Sequence, residues 1–150
     1  MSRRTLATGL AAVVVTAAVA VAGAAASGSD ISHPQTLRLS ARGGSSTFVD
    51  TGRHGPSVGD EVILRQPVFE HGRRAGTGRV MIVLEGRDTS QDEVDVTLAA
   101  GEITLQGAQN GNRFTLAVTG GTGEYRNARG EARIRVGSNN SARVTIHLIP

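Results

Sequence analysis

Apolar and polar residues alternate with a period of two along most of the chain after residue 36. The pattern is clearest in Val94–Leu98 and in Val144–Leu148, where every second residue is apolar. Successive side chains of a strand point to opposite faces, so each run predicts a strand with one buried face. Further runs of this kind are Leu37–Leu39, Glu61–Phe69, Ile103–Leu105, Phe114–Val118 and Ala132–Val136.

Turn-forming residues separate these runs at regular intervals, and no helical stripe interrupts them after Ser27. About eight short strands with this spacing predict an all-β fold, either a barrel or a sandwich. An eight-stranded barrel has no free edge, and its interior holds side chains or one small ligand. We therefore predict a single eight-stranded antiparallel β-barrel. The expected turns are Gly52–Gly59, His71–Gly72, Gly86–Asp92, Ala100–Gly101, Gln109–Asn112 and Gly137–Asn140.

Two runs depart from simple alternation. Pro67 lies within Glu61–Phe69 and removes one backbone donor, which predicts an edge strand or a bulge. Val80–Leu84 is apolar on both faces. This run indicates a strand covered on both sides and leaves open a homo-oligomer, either a dimer or a trimer.

The first 26 residues have the order of regions that is typical of a secretory signal peptide. Arg3 and Arg4 precede the apolar stretch Leu6–Ala22, and small residues follow up to Ala26. A permanent anchor needs about 20 strongly apolar residues, and this stretch is shorter and rich in alanine. The arginine pair also resembles a twin-arginine signal, so the export route stays open. We expect a signal peptide over 1–26, a flexible segment over 27–36 and the barrel over 37–150, secreted and without a stable membrane span.

Composition narrows the classes of function further. The chain has no cysteine, which excludes disulfides, thiolate catalysis and cysteine–metal sites. All 16 basic residues are arginine, and without Arg3 and Arg4 the mature chain carries 14 arginines against 13 acidic residues. This near balance, with no basic face interleaved with aromatics, predicts no binding to nucleic acid. The four histidines are widely spaced, so a metal site is not expected.

The segment Ala117–Gly130 contains the densest group of glycines in the mature chain. Gly120, Gly121, Gly123 and Gly130 lie between two strand runs, and glycine enters positive φ without a Cβ penalty. We predict that these glycines shape a tight connection, with Gly121 at positive φ. A phosphate-binding loop is disfavoured, because no Gly-Lys-Ser/Thr is present and a strand follows instead of a helix.

The sequence Gly-Gly-Thr-Gly-Glu-Tyr-Arg-Asn-Ala-Arg-Gly over 120–130 resembles the signature of the allene oxide cyclase and dirigent superfamily, which includes small secreted actinobacterial members. Shorter similarities occur, in the same order, at Val58–Asp60, Pro67–Phe69 and Ile103–Gly107. The resemblance implies an eight-stranded antiparallel barrel with a ligand pocket at one mouth, often assembled as a trimer. It also implies chemistry that needs no metal or organic cofactor.

The same resemblance implies candidate site residues. Glu124 and Arg129 match an acid and an arginine thought to assist closure of a quinone-methide intermediate, so both are candidate catalytic residues. Gln66 falls where plant cyclases carry a water-holding asparagine, and Tyr125 occupies the aromatic position of the signature. These two are candidate ligand-binding residues. A structural role for the glycine loop, and an ion pair for Arg129, remain the alternatives.

Two functions follow as hypotheses. The first is a secreted barrel that binds a small apolar or phenolic molecule and guides its cyclisation or coupling, as a cofactor-independent cyclase, isomerase or dirigent-type protein. The second is a non-catalytic extracellular carrier or structural barrel whose interior Val, Ile and Leu side chains fill. The cavity distinguishes them: an interior without space for a ligand and without an inward polar group would remove the catalytic hypothesis.

The signal-peptide interpretation predicts the mature N-terminus. Cleavage after Ala26 leaves 124 of the 150 residues, beginning at Ser27. Intact-mass measurement of the exported protein should therefore give the mass of residues 27–150. A product that keeps residues 1–26 in the membrane fraction would contradict the prediction.

Overall fold

The computed structural model describes residues 31–150, and the predicted signal peptide lies outside these residues. A single 3₁₀ turn, Gly123–Tyr125, is the one helical element in this part of the chain. Among residues 31–150 no helix is long and apolar enough to cross a membrane. The strands are β1 (Gln35–Ala41), β2 (Ser45–Val49), β3 (Glu61–Glu70), β4 (Arg73–Leu84), β5 (Thr89–Leu98), β6 (Gly101–Asn110), β7 (Arg113–Gly121), β8 (Arg129–Val136) and β9 (Ala142–Ile149).

The strands form one antiparallel sheet that closes on itself. Their order is β1-β9-β8-β7-β6-β5-β4-β3-β2, and an additional pairing joins β1 to β3. Strand β1 pairs with the second half of β3, where Ala41 is opposite Val68, and β2 pairs with the first half, where Ser45 is opposite Arg65. Strands β1 and β2 therefore share one position around the barrel. The predicted all-β, eight-stranded antiparallel barrel is confirmed.

Pro67 occupies the one stretch of β3 that lacks a neighbour on one side. The pairing of β1 ends at Val68 and that of β2 begins at Arg65, so Pro67 faces the bend Arg42–Gly44 between these strands. On its other side Pro67 is opposite Thr77 of β4. Of the two predicted alternatives, the edge strand is wrong, because β3 is internal. The predicted bulge agrees with the register shift between Val68 and Phe69. The missing N–H of Pro67 is tolerated because the ladder to β1 and β2 is interrupted there.

Large apolar side chains fill one end of the barrel, which we call the closed end and which carries the connection 122–128 between β7 and β8. The buried cluster includes Ile103, Leu105, Leu116, Ile146 and Leu148, each at most 1% exposed. Ile31 also packs into this cluster, and β1 begins two residues before the predicted barrel boundary. The opposite end, which we call the mouth, carries the bend Arg42–Gly44 and the turn 137–141.

The glycines of the signature act in two different ways. Gly123 and Gly130 have positive φ, at 60° and 132°, whereas Gly120 and Gly121 do not. The predicted positive φ of Gly121 is therefore wrong. Gly121 is needed for space instead: a Cβ there would collide with the backbone carbonyl oxygens of Glu102 and Tyr125, and at Gly120 it would meet nothing within 4 Å.

This contrast predicts that two neighbouring substitutions differ in their effect on stability. Gly121→Ala should lower the free energy of unfolding by about 1–3 kcal/mol, because two backbone segments must move apart. Gly120→Ala, the matched control, should change it by less than about 0.5 kcal/mol. Chemical denaturation of both variants measures the difference. Equal stability of the two variants would contradict the close-approach argument.

Candidate functional site

The mouth of the barrel opens into a cavity of about 320 Å³. Its wall consists mainly of aliphatic side chains from six strands and one aromatic ring, Phe114. The polar lining residues are Ser40, Ser46, Gln66, Asp92, Gln109, Asn140 and Ser141. The apolar lining residues and the one glycine are Leu39, Ala41, Val62, Leu64, Val68, Gly78, Val80, Ile82, Val94, Val96, Ile134, Val136, Ala142 and Val144.

Small inward residues help to leave this cavity open at the mouth. Gly78 of β4 lines the cavity without a side chain, and Ala41 and Ala142 line it with a single methyl group each. At the closed end, leucine and isoleucine side chains such as Leu105, Leu116 and Ile146 fill the barrel. The same alternating pattern thus produces a packed core at one end and an apolar space at the other.

Asp92 places a carboxyl group in this apolar wall. It lies near the start of β5, in phase with the inward-facing Val94 and Val96, and is only 2% exposed. Burial raises the pKa of Asp92, and a hydrogen bond from Ser90 Oγ to Asp92 Oδ1 at 2.7 Å partly opposes this effect. A carboxyl with a raised pKa in an apolar cavity is suited to proton transfer.

The sequence-based prediction did not identify Asp92 as a site residue. Residues 86–92 were expected to form a turn, but β5 begins at Thr89, so Asp92 is part of the strand. Its position in the sequence gives the signal. Asp92 is two residues from Val94 and four from Val96, so on an alternating strand the three side chains lie on the same face. A carboxylate on the apolar face of a predicted strand is the pattern that could have identified it.

Gln66, a predicted ligand-binding residue, does line the cavity. Its side chain is 6% exposed, and its amide nitrogen donates hydrogen bonds to Gly43 O at 3.2 Å and to Asn140 O at 2.5 Å. These two carbonyls belong to the bend after β1 and to the turn before β9, so Gln66 joins both sides of the mouth. The nitrogen is used in these bonds, and the amide oxygen is what Gln66 can offer to a ligand.

The other predicted site residues lie at the closed end, away from the cavity. Glu124 and Arg129 are exposed, and neither lines the cavity. Tyr125 is 7% exposed within the packed core, and burial, with further contributions from Glu124 and Glu70, raises its pKa. The structure therefore does not bring these three residues together with Gln66. Their catalytic and ligand-binding roles remain predictions.

Asp60, in the Gly-Asp segment before β3, is also a buried carboxylate, but its pKa is shifted in the opposite direction to that of Asp92. Its side chain is 0% exposed and accepts hydrogen bonds from the backbone N–H and the hydroxyl of both Thr51 and Ser57, at 2.6–3.2 Å. Led by the backbone hydrogen bond from Thr51, these contacts lower the pKa of Asp60 against the opposing effect of burial. Asp60 therefore fixes the 51–59 loop and is not poised for proton transfer.

No three His, Asp or Glu side chains within residues 31–150 are placed to hold a metal ion. The polar groups in the cavity wall are a carboxyl, three amides and three hydroxyls. Its carboxyl comes from Asp92, its amides from Gln66, Gln109 and Asn140, and its hydroxyls from three serines. With a mainly apolar wall, this set is suited to a small, largely apolar molecule with few polar atoms.

Comparisons with known proteins agree with this geometry. The sequence profile of the allene oxide cyclase barrel like domain matches residues 36–148, and a search of curated proteins found no match. Among solved structures, a pyocyanin demethylase is 26% identical with a TM-score of 0.69, covering 77% of this chain and 100% of that one. A pterocarpan synthase dirigent protein (TM-score 0.59; 77% of this chain, 84% of that one) and a Diels–Alderase from Streptomyces koyangensis (0.57; 78% and 69%) are each 14% identical and share the fold.

The raised pKa of Asp92 predicts how its replacement changes stability with pH. Because the folded pKa is above the unfolded value of about 4, the charged carboxylate costs stability as pH rises through that interval, and the cost persists at higher pH. Asp92→Asn should therefore unfold at a higher temperature than the wild type at pH 7. This advantage should shrink toward pH 4. Thermal melts from pH 4 to 8 measure it, with the exposed Asp88→Asn as control; an advantage that does not depend on pH would contradict it.

Proposed function

The chain belongs to the allene oxide cyclase barrel-like domain family, and on this premise we propose that it binds a small apolar or phenolic molecule in the barrel cavity and moves a proton on it with Asp92. Cyclisation or isomerisation of the bound molecule would follow without a cofactor. The observation that carries the proposal is a 2% exposed carboxyl, with a raised pKa, in the wall of an apolar cavity.

The binding part of the proposal rests on size and chemistry. A volume of about 320 Å³ is at the small end of the range for ligand sites. The wall is mostly aliphatic, and Phe114 adds an aromatic surface against which a planar ring can pack. These features favour a compact apolar or aromatic ligand over a sugar or a peptide, whose many polar groups would lose their water.

The catalytic part rests on what a carboxyl can do there. As an acid, Asp92 gives its proton to a ligand oxygen or nitrogen that gains electron density, and as a base it takes a proton from another atom of the same ligand. The proton returns to the carboxyl in one cycle, so atoms and electrons balance within a single ligand. A positioned acid or base of this kind contributes roughly 10²- to 10⁴-fold to a rate.

A carrier is the alternative that keeps the same cavity. It would use the apolar wall and the mouth but would not need the proton of Asp92. The structure offers less support to a purely structural barrel, because the mouth end is open and a carboxyl faces inward. We also propose that the protein acts outside the cell, which follows from the predicted signal peptide.

One experiment separates the enzyme from the carrier. Small molecules that copurify with the mature protein would be identified by untargeted mass spectrometry, and pyocyanin would be the first added compound because of the 26% identical demethylase. Asp92→Asn should retain binding within about threefold and lose turnover by roughly 10²- to 10⁴-fold. Unchanged turnover in this variant would overturn the role of Asp92, and binding without turnover in the wild type would favour the carrier.

The same assay tests the residues at the closed end. If the cavity is the only reactive site, Glu124→Gln and Arg129→Ala should turn over the ligand at the wild-type rate, because neither side chain lines the cavity. A loss in these variants with full activity in Asp92→Asn would instead support the site implied by the family signature. Val80→Phe, which fills the cavity wall, serves as the control for binding.

A further inference from the structure

Three exposed arginines stand side by side on the outer face of the barrel near the mouth. Arg113 of β7 is the register partner of Arg135 of β8, and Arg135 is the partner of Arg143 of β9. Partner residues on neighbouring antiparallel strands have Cβ atoms about 4.5–5.5 Å apart. The three arginine side chains therefore leave the sheet next to one another, and we call them the arginine row.

No acidic side chain within residues 31–150 pairs with this row. Elsewhere on the barrel arginines do pair with acidic side chains, for example Arg79 with Asp95 at 3.7 Å and Arg133 with Glu131 at 2.7 Å. Like charges placed directly opposite on a sheet destabilise it. Overall charge does not explain the row, because the predicted mature chain has nearly equal numbers of arginines and acidic residues. An anion bound by these arginines would remove the repulsion.

A cleft of about 460 Å³ lies beside the mouth, next to two members of the arginine row, Arg135 and Arg143. Arg42, Arg135 and Arg143 line it, and the guanidinium of Arg42 lies 4.5 Å from the centre of the Phe69 ring, which holds that side chain in place. The cleft and the cavity share the rim residues Ser40, Ala41, Val136, Ser141 and Ala142. A molecule seated in the cavity could therefore extend across this rim to the arginines.

We infer that the ligand is an amphipathic anion, with an apolar or aromatic body in the cavity and a carboxylate or another oxyanion at Arg42, Arg135 and Arg143. This inference rests on the proposed function, because it uses the same cavity for the apolar part. Guanidinium groups bind oxyanions through paired N–H donors, and the exposed row attracts anions toward the mouth. The arginines are ligand-positioning residues and take no part in the proton transfer.

Two fluorescent probes that differ by one anionic group test the inference. They are 8-anilinonaphthalene-1-sulfonate and its neutral counterpart N-phenyl-1-naphthylamine. The wild type should bind the sulfonate more tightly at low salt, and the two probes should compete for one site. The double variant Arg135→Gln/Arg143→Gln should weaken sulfonate binding by roughly five- to thirtyfold, as expected for two partly exposed ion pairs. Binding of the neutral probe should change by less than about twofold.

A second double variant provides the matched control. Arg38→Gln/Arg133→Gln removes the same charge from the same outer face, at positions that flank Thr145 and lie outside the cleft. It should leave both affinities near the wild-type values. If the two double variants weakened sulfonate binding equally, or if the sulfonate did not compete with the neutral probe, this inference would be overturned. The proposed function would be unaffected by either result. Failure of the neutral probe to bind the wild type would overturn the proposed apolar site as well.

Discussion

Closure of the barrel at the bend Arg42–Gly44 is the constraint on which the rest of the structure depends. One strand position must be shared between β1 and β2, because β1 pairs with β9 and with one half of β3 while β2 continues along the other half. Gly44 has a φ of 93°, and a Cβ there would collide with the carbonyl oxygen of Arg65. Gln66 fills the resulting gap and binds the carbonyls of Gly43 and Asn140. Closure and the shape of the mouth therefore depend on the same few residues.

The two buried carboxylates show how the fold separates structural from reactive groups. Asp60 accepts hydrogen bonds from four donors and is held in its charged form, so it fixes a loop. Asp92 accepts one from Ser90, and burial raises its pKa. The difference lies in the number of donors that replace water, because each donor to the carboxylate offsets part of the cost of burial. A buried carboxyl that accepts a single hydrogen bond therefore stays protonated to a higher pH.

The alternating pattern predicted the strands and the barrel because it records which face of each strand is buried. It did not predict which end would be open, since this depends on the summed volumes of inward side chains from all the strands. Gly78, Ala41 and Ala142 contribute to the open end, and that they line the same cavity appears only once the register is known. Glu124 and Arg129 were predicted from the resemblance alone, and the structure places both at the closed end. Asp92 could have been identified, because its parity with Val94 is visible in the sequence.

The mouth and the interior differ in charge, and this difference determines how a ligand could be oriented. An anion near Asp92 would repel its carboxylate and raise its pKa further, whereas an anion held at Arg42, Arg135 and Arg143 lies across the rim. The apolar body of such a ligand must then point inward, toward the strand that carries Asp92. Catalysis by positioning requires a ligand that enters in one direction and stops at one depth. An apolar cavity alone supplies neither, and the arginine row beside the mouth is the feature that would supply both.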